Sequence, residues 1–167
     1  MKINTLEDLL TDELKDIYSA ETQLIKTLPK LAKASESPDL RNAFEKHLEQ
    51  TRQHAQRIEE ICTDLDVRPT GKKCVGMEGL VEEGKEVLQQ EMKKDAKQAA
   101  LIGAAQRVEH YEIAAYGTAM AHAKQLGYMK AVDLLGKTLE EEKQADQLLT
   151  DIAENRVNVQ AAMGTAA

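Results

Sequence analysis

Glu21, His47, His54, Glu109, Glu112, Glu142 and Asp146 each stand on a row of residues that ought to be apolar throughout. The first row reads Leu10, Leu14, Ile17, Glu21, Leu24, Leu28, Leu31, and the second reads Leu40, Phe44, His47, Thr51, His54, Ile58, Ile61, Leu65. The third reads Ile102, Ala105, Glu109, Glu112, Tyr116, Ala119, Ala123, Leu126, and the fourth Val132, Leu135, Leu139, Glu142, Asp146, Leu149, Ala153. Alternating steps of three and four keep residues on one face of an α-helix, because each residue turns the chain by about 100°. Buried anions are costly unless something compensates them, and no Lys or Arg stands on these rows to do so. A divalent cation, or a pair of them, is the simplest counter-charge. Carboxylate and imidazole donors without thiolate suit iron or manganese. Acids projecting from facing helices are how bundles hold two metals side by side.

Counting from the turns at about 1.5 Å per residue puts Glu21 level with Thr51, between the two histidines, and Glu112 level with Glu142. Asp146 then faces the turn of Glu109. Both sets fall near the middle of the bundle. Each residue alone also has a plainer reading. His47 and His54 could each be a hydrogen-bonded core histidine, and the choice between them as ligand stays open. Glu49 lies about 160° from the face of His47, Thr51 and His54, which makes it a solvated residue. Gln50 flanks that face. Tyr18 and Tyr116 neighbour the acids as packing residues or hydrogen-bond donors. His110 and His122 read as peripheral, and Glu140-Glu141 as a solvated face. What favours a metal site is four rows coinciding at one level.

The elements that must carry these residues follow from caps and breaks. Thr5, followed by Glu7 and Asp8, reads as the start of a helix over about 5–33. Ser37-Pro38 starts a second over about 38–66, and so short a connection makes an antiparallel hairpin. Arg68-Pro69-Thr70-Gly71 stops it. A stretch too long for a turn follows, with a shorter helix over about 77–91 and Leu80, Val87 and Leu88 as its apolar residues. Helices over about 95–126 and 128–155 make the second hairpin, separated at Gly127, and the tail 156–167 is expected to fray. The expectation is a single all-α domain, 1–167: two antiparallel hairpins joined by a long crossover with an extra helix, the connectivity of ferritin-like four-helix bundles.

Composition agrees. Aromatic residues make up 3% of the 167 and Trp is absent, while Ala, Leu, Glu, Lys and Gln abound, the residues that lose least on entering a helix. A formal net charge of -7 argues against nucleic acid as a partner. No apolar run approaches the roughly 20 residues of a membrane span, and the first residues lack the apolar core of a signal peptide. Cys62 and Cys74 have neither zinc-site nor disulfide-framework spacing, so a reducing cytoplasm is the expected location.

The strings Tyr18-Ser-Ala-Glu21-Thr-Gln23, Phe44-Glu-Lys-His47-Leu-Glu-Gln-Thr51, Val108-Glu-His-Tyr-Glu112-Ile, Leu139-Glu-Glu-Glu142-Lys and Lys73-Cys74-Val-Gly-Met-Glu-Gly-Leu80 resemble the YciE/YciF family of bacterial ferritin-like stress proteins. The resemblance implies a four-helix ferritin-like core with an extra helix, a homodimer and a dinuclear metal centre. Glu21, Glu112 and Glu142 match the helix carboxylates of such centres. The Glu-x-x-His pairs of ferritin-like and manganese-catalase sites are missing, for the chain has Glu49-x-x-Arg52 and Glu142-x-x-Ala145 instead. The shell would then be completed by His47 or His54, Glu109 and Asp146. Two functions are compatible with these residues. One is an oxidoreductase with a di-iron or di-manganese centre that acts on oxygen, peroxide or ferrous iron. The other is a non-catalytic metal-binding or structural homodimer.

Overall fold

Thr5 opens the first helix by a reciprocal exchange: its hydroxyl accepts the Asp8 N–H at 3.0 Å while the Asp8 carboxylate accepts the Thr5 N–H at 3.0 Å. That satisfies two donors a helix start leaves open. The computed structural model describes residues 2–164. In it α1 (Leu6–Ala34) is followed by α2 (Pro38–Asp64), α3 (Val75–Gln89), α4 (Lys94–Leu126) and α5 (Met129–Ile152). A π-helical turn, Ala153–Val157, then leads into a short α6 (Asn158–Met163). No strand occurs among the described residues.

Ser37 caps α2 with Pro38 in its first turn, where the missing N–H costs nothing. Gln98 ties this corner to α4: its side-chain oxygen accepts the Glu36 N–H at 3.0 Å and its amide nitrogen donates to the Ala34 carbonyl at 3.4 Å. The start of α4 therefore lies beside the α1–α2 turn. At the other end Gly127 closes α4 at φ 78°, a left-handed backbone that glycine adopts without strain. α1 packs on α2 and α4, and α5 packs on α4 and α2. Every neighbouring pair in this four-helix bundle runs antiparallel. Residues 65–93 cross from the far end back to the Gln98 corner, and α3 within them lies over α1 and α4. This is the expected all-α architecture, two hairpins joined by a long crossover.

The apolar interior is divided into two. One cluster gathers Leu24, Leu28, Leu31, Leu40, Phe44 and Leu101 with their neighbours towards the Gln98 end. The other gathers Leu10, Leu14, Ile17, Ile58, Ile61 and Leu135 towards the Gly127 end. Between them lies a layer of buried polar side chains. No helix among the described residues is long and apolar enough to cross a membrane.

Two features differ from the sequence reading. Helix α3 begins two residues earlier than expected because the Cys74 thiol caps it, accepting the Met77 N–H at 3.4 Å. The tail, expected to fray from residue 156, stays helical to Met163 with Val157 buried. The reason is packing: Val157 joins the first apolar cluster, and Arg156 pairs with Asp39 of α2. Residues 165–167 of that tail lie outside the described ones.

A polar network anchors the crossover. The Cys74 thiol lies 2.9 Å from the Tyr111 hydroxyl, which donates to Asp16 at 2.9 Å, and Lys72 pairs with Asp12 and Asp16 at 2.6 and 3.3 Å. The Tyr111 ring lies against Gly76, where an added Cβ would stand 2.7 Å from the ring edge. Burial alone would raise the Asp16 carboxyl, but the bonds from Cys74, Tyr111 and Lys72 outweigh it and hold the group below its ordinary value. A depressed folded-state value means stability that is present above the unfolded-state pKa and lost as pH falls through the folded one. Asp16→Asn should therefore lower the melting temperature at pH 7, and the gap to the unmodified protein should shrink as pH drops below about 3.8. Thermal melts across that range check it, and a gap independent of pH would contradict the anchoring role of the charge.

Candidate metal centre

Six of the seven residues singled out from the sequence meet in the polar layer. Glu21 comes from α1, His47 and His54 from α2, Glu109 and Glu112 from α4, and Glu142 from α5. All six are buried, the four glutamates to 2% exposure or less. They are buried because the three-and-four rows that carry them continue into leucines and isoleucines on both sides, so each helix must turn this face inward.

Two groups can be distinguished. His47, Glu109, Glu112 and Glu142 form one and Glu21, His54 and Glu142 the other; within each, one donor atom per side chain lies within 4.8 Å of every other. Glu142 belongs to both. His47 Nε2 lies 3.3 Å from Glu109 and 3.6 Å from Glu142, while His54 Nδ1 lies 2.8 Å from Glu142 and 3.5 Å from Glu21. Both nitrogens stay without a hydrogen bond, as do the Glu109 and Glu142 oxygens that face them; Glu21 Oε1 accepts from Tyr116 instead. Among the described residues, every buried side-chain atom without a hydrogen bond belongs to this cluster, His122 Nδ1 excepted. Both oxygens of Glu112 and both of Glu142 are in that state. An unpaired buried polar atom costs about 1–3 kcal/mol, more if charged. So many in one place are donor atoms converging on a common interior space, and the two groups have the composition and spacing to hold a metal ion.

The electrostatics point the same way. Burial raises the carboxyl groups of Glu21, Glu109 and Glu112, the last two well above the ordinary carboxylate range with help from their acidic neighbours. Burial would raise Glu142 too, but the facing histidines outweigh it and hold it low. Burial pulls His47 down. It would do the same to His54, yet the close carboxylates of Glu142 and Glu21 push that imidazole up to about 10.

The surroundings hold the donors in place. Tyr116, fully buried, donates to Glu21 Oε1. Thr51 bonds back to the His47 carbonyl at 2.8 Å. His54 Nε2 meets Glu141 at 2.9 Å, and Arg57 grips that same carboxylate with two nitrogens while donating to Thr138 at 2.9 Å. Glu141 thereby claims the Nε2 proton and turns Nδ1 towards the cluster.

Several sequence expectations are corrected here. Glu141, taken as part of a solvated face, is half-buried and orients His54. A cation does stand beside the layer: Arg57 is buried next to the His54 row, although it neutralises Glu141 and not the cluster. The signal was present, for Arg57 follows His54 by three residues and Glu141 follows Thr138 by three, both helix-face spacings. Asp146 stands apart, its carboxylate accepting from Gln106 at 3.1 Å and lying 3.2 Å from exposed His110. Tyr18 bonds Glu59 at the surface. Glu49 is exposed, as its helix-face position indicated, and pairs with Arg52.

The chain matches the family described as Domain of unknown function (DUF892) over residues 5–162. It is 49% identical to Protein YciF of Escherichia coli (strain K12) over 162 residues, which cover 96% of this chain and 98% of YciF. The crystal structure of the E. coli stress protein YciF superimposes with a TM-score of 0.90 over 93% of this chain and 99% of that one. YcfI from Rhodopseudomonas palustris, 40% identical, gives a TM-score of 0.86 over 89% of this chain and 95% of that one. A protein from Xanthomonas campestris at 17% identity, with a TM-score of 0.76 over 96% of this chain and 99% of that one, shares the fold alone. With matches of this extent on the same helical framework, the chain belongs to the DUF892 family, that of the stress protein YciF.

Proposed function

We propose that the buried layer is a dinuclear metal centre, filled by iron or manganese, in a stress-response oxidoreductase that consumes oxygen or peroxide or oxidises ferrous iron. The observation that carries this reading is the set of unpaired donor atoms shared by six side chains from four helices. Charge supports two ions over one: four carboxylates against two divalent cations leave no net charge in the layer. Neither cysteine joins the cluster, and an oxygen and nitrogen donor set suits iron or manganese. A pair of redox-active ions held there would supply two electrons at one place, as the two-electron reduction of oxygen or peroxide requires.

The chain's own groups have separate tasks. Glu142 would serve both ions, being common to both donor groups. Tyr116 fixes the orientation of Glu21 from within the second apolar cluster. Arg57 and Glu141 set the tautomer of His54. The leucine layers above and below exclude water, which strengthens every electrostatic contact inside. Dimerisation is part of the proposal as well.

Elemental analysis after growth with iron and manganese should find about two ions per chain. Glu142→Ala should lose both, whereas His47→Ala and Glu21→Ala should each retain one. A Glu142→Ala protein that keeps two ions would show that Glu142 does not serve both. Each ion at a free concentration one hundred times its Kd should add about 2.7 kcal/mol of stability, roughly 5–10 °C in melting temperature for a chain of this size. Melts with and without chelator measure it.

Glu141→Gln should weaken metal binding about 10- to 100-fold while leaving the ion count at saturation unchanged. Titration of the metal-free protein decides this, and an affinity equal to that of the unmodified chain would mean that Glu141 has no hold on the ligand. Oxygen-uptake and peroxide-decay assays then separate the two functions. Metal-loaded protein that consumes neither oxidant is a metal-binding protein and no oxidoreductase.

A further inference from the structure

Glu109 is reached from two sides that differ in chemistry. Between α2 and α5 a cleft of about 30 Å3, with Lys46, Gln50 and Gln144 in its wall, leads to His47 and Glu109. On the opposite side of the bundle, beneath α3, lies a cavity of about 20 Å3 walled by Leu24 and Leu28 of α1, Gly84 of α3, and Ala105 and Val108 of α4. It too ends on Glu109.

The wall of this second space offers little to water. Thr27 is the one hydroxyl in it, and that group is committed to the Gln23 carbonyl at 2.9 Å. Glu109 faces His47. A buried water needs two to four polar partners, and a space that lacks them takes an apolar occupant or none. Room for about one water-sized molecule begins at roughly 10–15 Å3, so this cavity has space for a diatomic molecule.

Gly84 keeps the space open. It is buried, and a Cβ built on it would meet nothing within 4 Å. Glycine inside a helix is less favourable than alanine, and here no neighbour forbids a side chain. Gly76 on the same helix is the contrast, since Tyr111 stands where its side chain would go. The vacancy at Gly84 thus has no packing reason, and its effect is to leave an apolar hollow against a side chain of the metal cluster.

We propose that this cavity binds dioxygen beside Glu109. The inference rests on the reading of the cluster as a redox metal centre and names the oxidant admitted on the α3 side, the polar cleft being the route left for peroxide. Crystals pressurised with xenon test the site without reference to turnover. Xenon should lie between Leu28, Gly84 and Val108, and Gly84→Leu should abolish it. In metal-loaded protein, Gly84→Leu should raise the KM for dioxygen several-fold at unchanged kcat, metal content and peroxide consumption. Gly84→Ala, a smaller filling compatible with any helix, should give an intermediate KM and serves where the leucine variant does not fold. Metal-replete protein that takes up no xenon overturns this proposal alone. So does a folded Gly84→Leu or Gly84→Ala protein that excludes xenon yet keeps its KM for dioxygen. Protein that takes up no redox metal overturns the metal reading, and this assignment of dioxygen with it.

Discussion

Four carboxylates meet at the centre of the bundle away from solvent, and the fold is arranged around neutralising them. Burial pushes Glu21, Glu109 and Glu112 towards their neutral forms, while the carboxylates of Glu142 and Glu21 raise His54 to about 10. Many lone pairs in the layer stay unused. Metal ligation needs those groups deprotonated, so a cation entering the layer exchanges for protons. The same helices can therefore frame either charge arrangement.

Such a layer is tolerated because it is flanked on both sides by well-packed hydrocarbon. Each fully buried Leu, Ile or Phe contributes about 1.5–3 kcal/mol, and Leu10, Leu14, Ile17, Leu40, Ile58, Ile61 and Leu101 are all at most 1% exposed. The two apolar clusters act as end plates that hold four helices in register across a middle that favours opening. The crossover adds a third restraint. Cys74, Tyr111 and Asp16 tie it to α1 and α4 on the side where Glu112, next to Tyr111 in sequence, enters the layer.

Much of this was legible in the sequence, because periodicity along a helix records which face turns inward. The rows around Glu21, Glu112 and Glu142 identified side chains that the fold does bring together, and Thr5, Ser37 and Gly127 marked three helix ends at which the structure places caps. What escaped were relations between helices. Arg57 and Glu141 are 84 residues apart, and His54 and Glu141 are 87 apart; both acids and bases at such face edges look solvated until the partner helix is in place. Asp146 erred in the other direction. It shares the row of Glu142 but stands a turn further along α5, where Gln106 and His110 satisfy it. The π-helical turn at Ala153–Val157 has no sequence signature of the kind a proline or glycine break leaves, so the continuation of the tail was not visible either.

The missing Glu-x-x-His pairs suggested too few histidines for two metals, and the geometry of α2 answers that shortage differently. His47 and His54 are seven residues apart, about 10.5 Å along the helix axis, yet their ring centroids approach to 6.2 Å. The convergence comes from using different nitrogens: the distal Nε2 of His47 and the proximal Nδ1 of His54 face the layer. Each ring serves its own donor group, and Glu142 is the element common to both. One helix thus presents both imidazoles to the layer, with Glu141, gripped by Arg57, holding His54 through Nε2 so that Nδ1 faces inward.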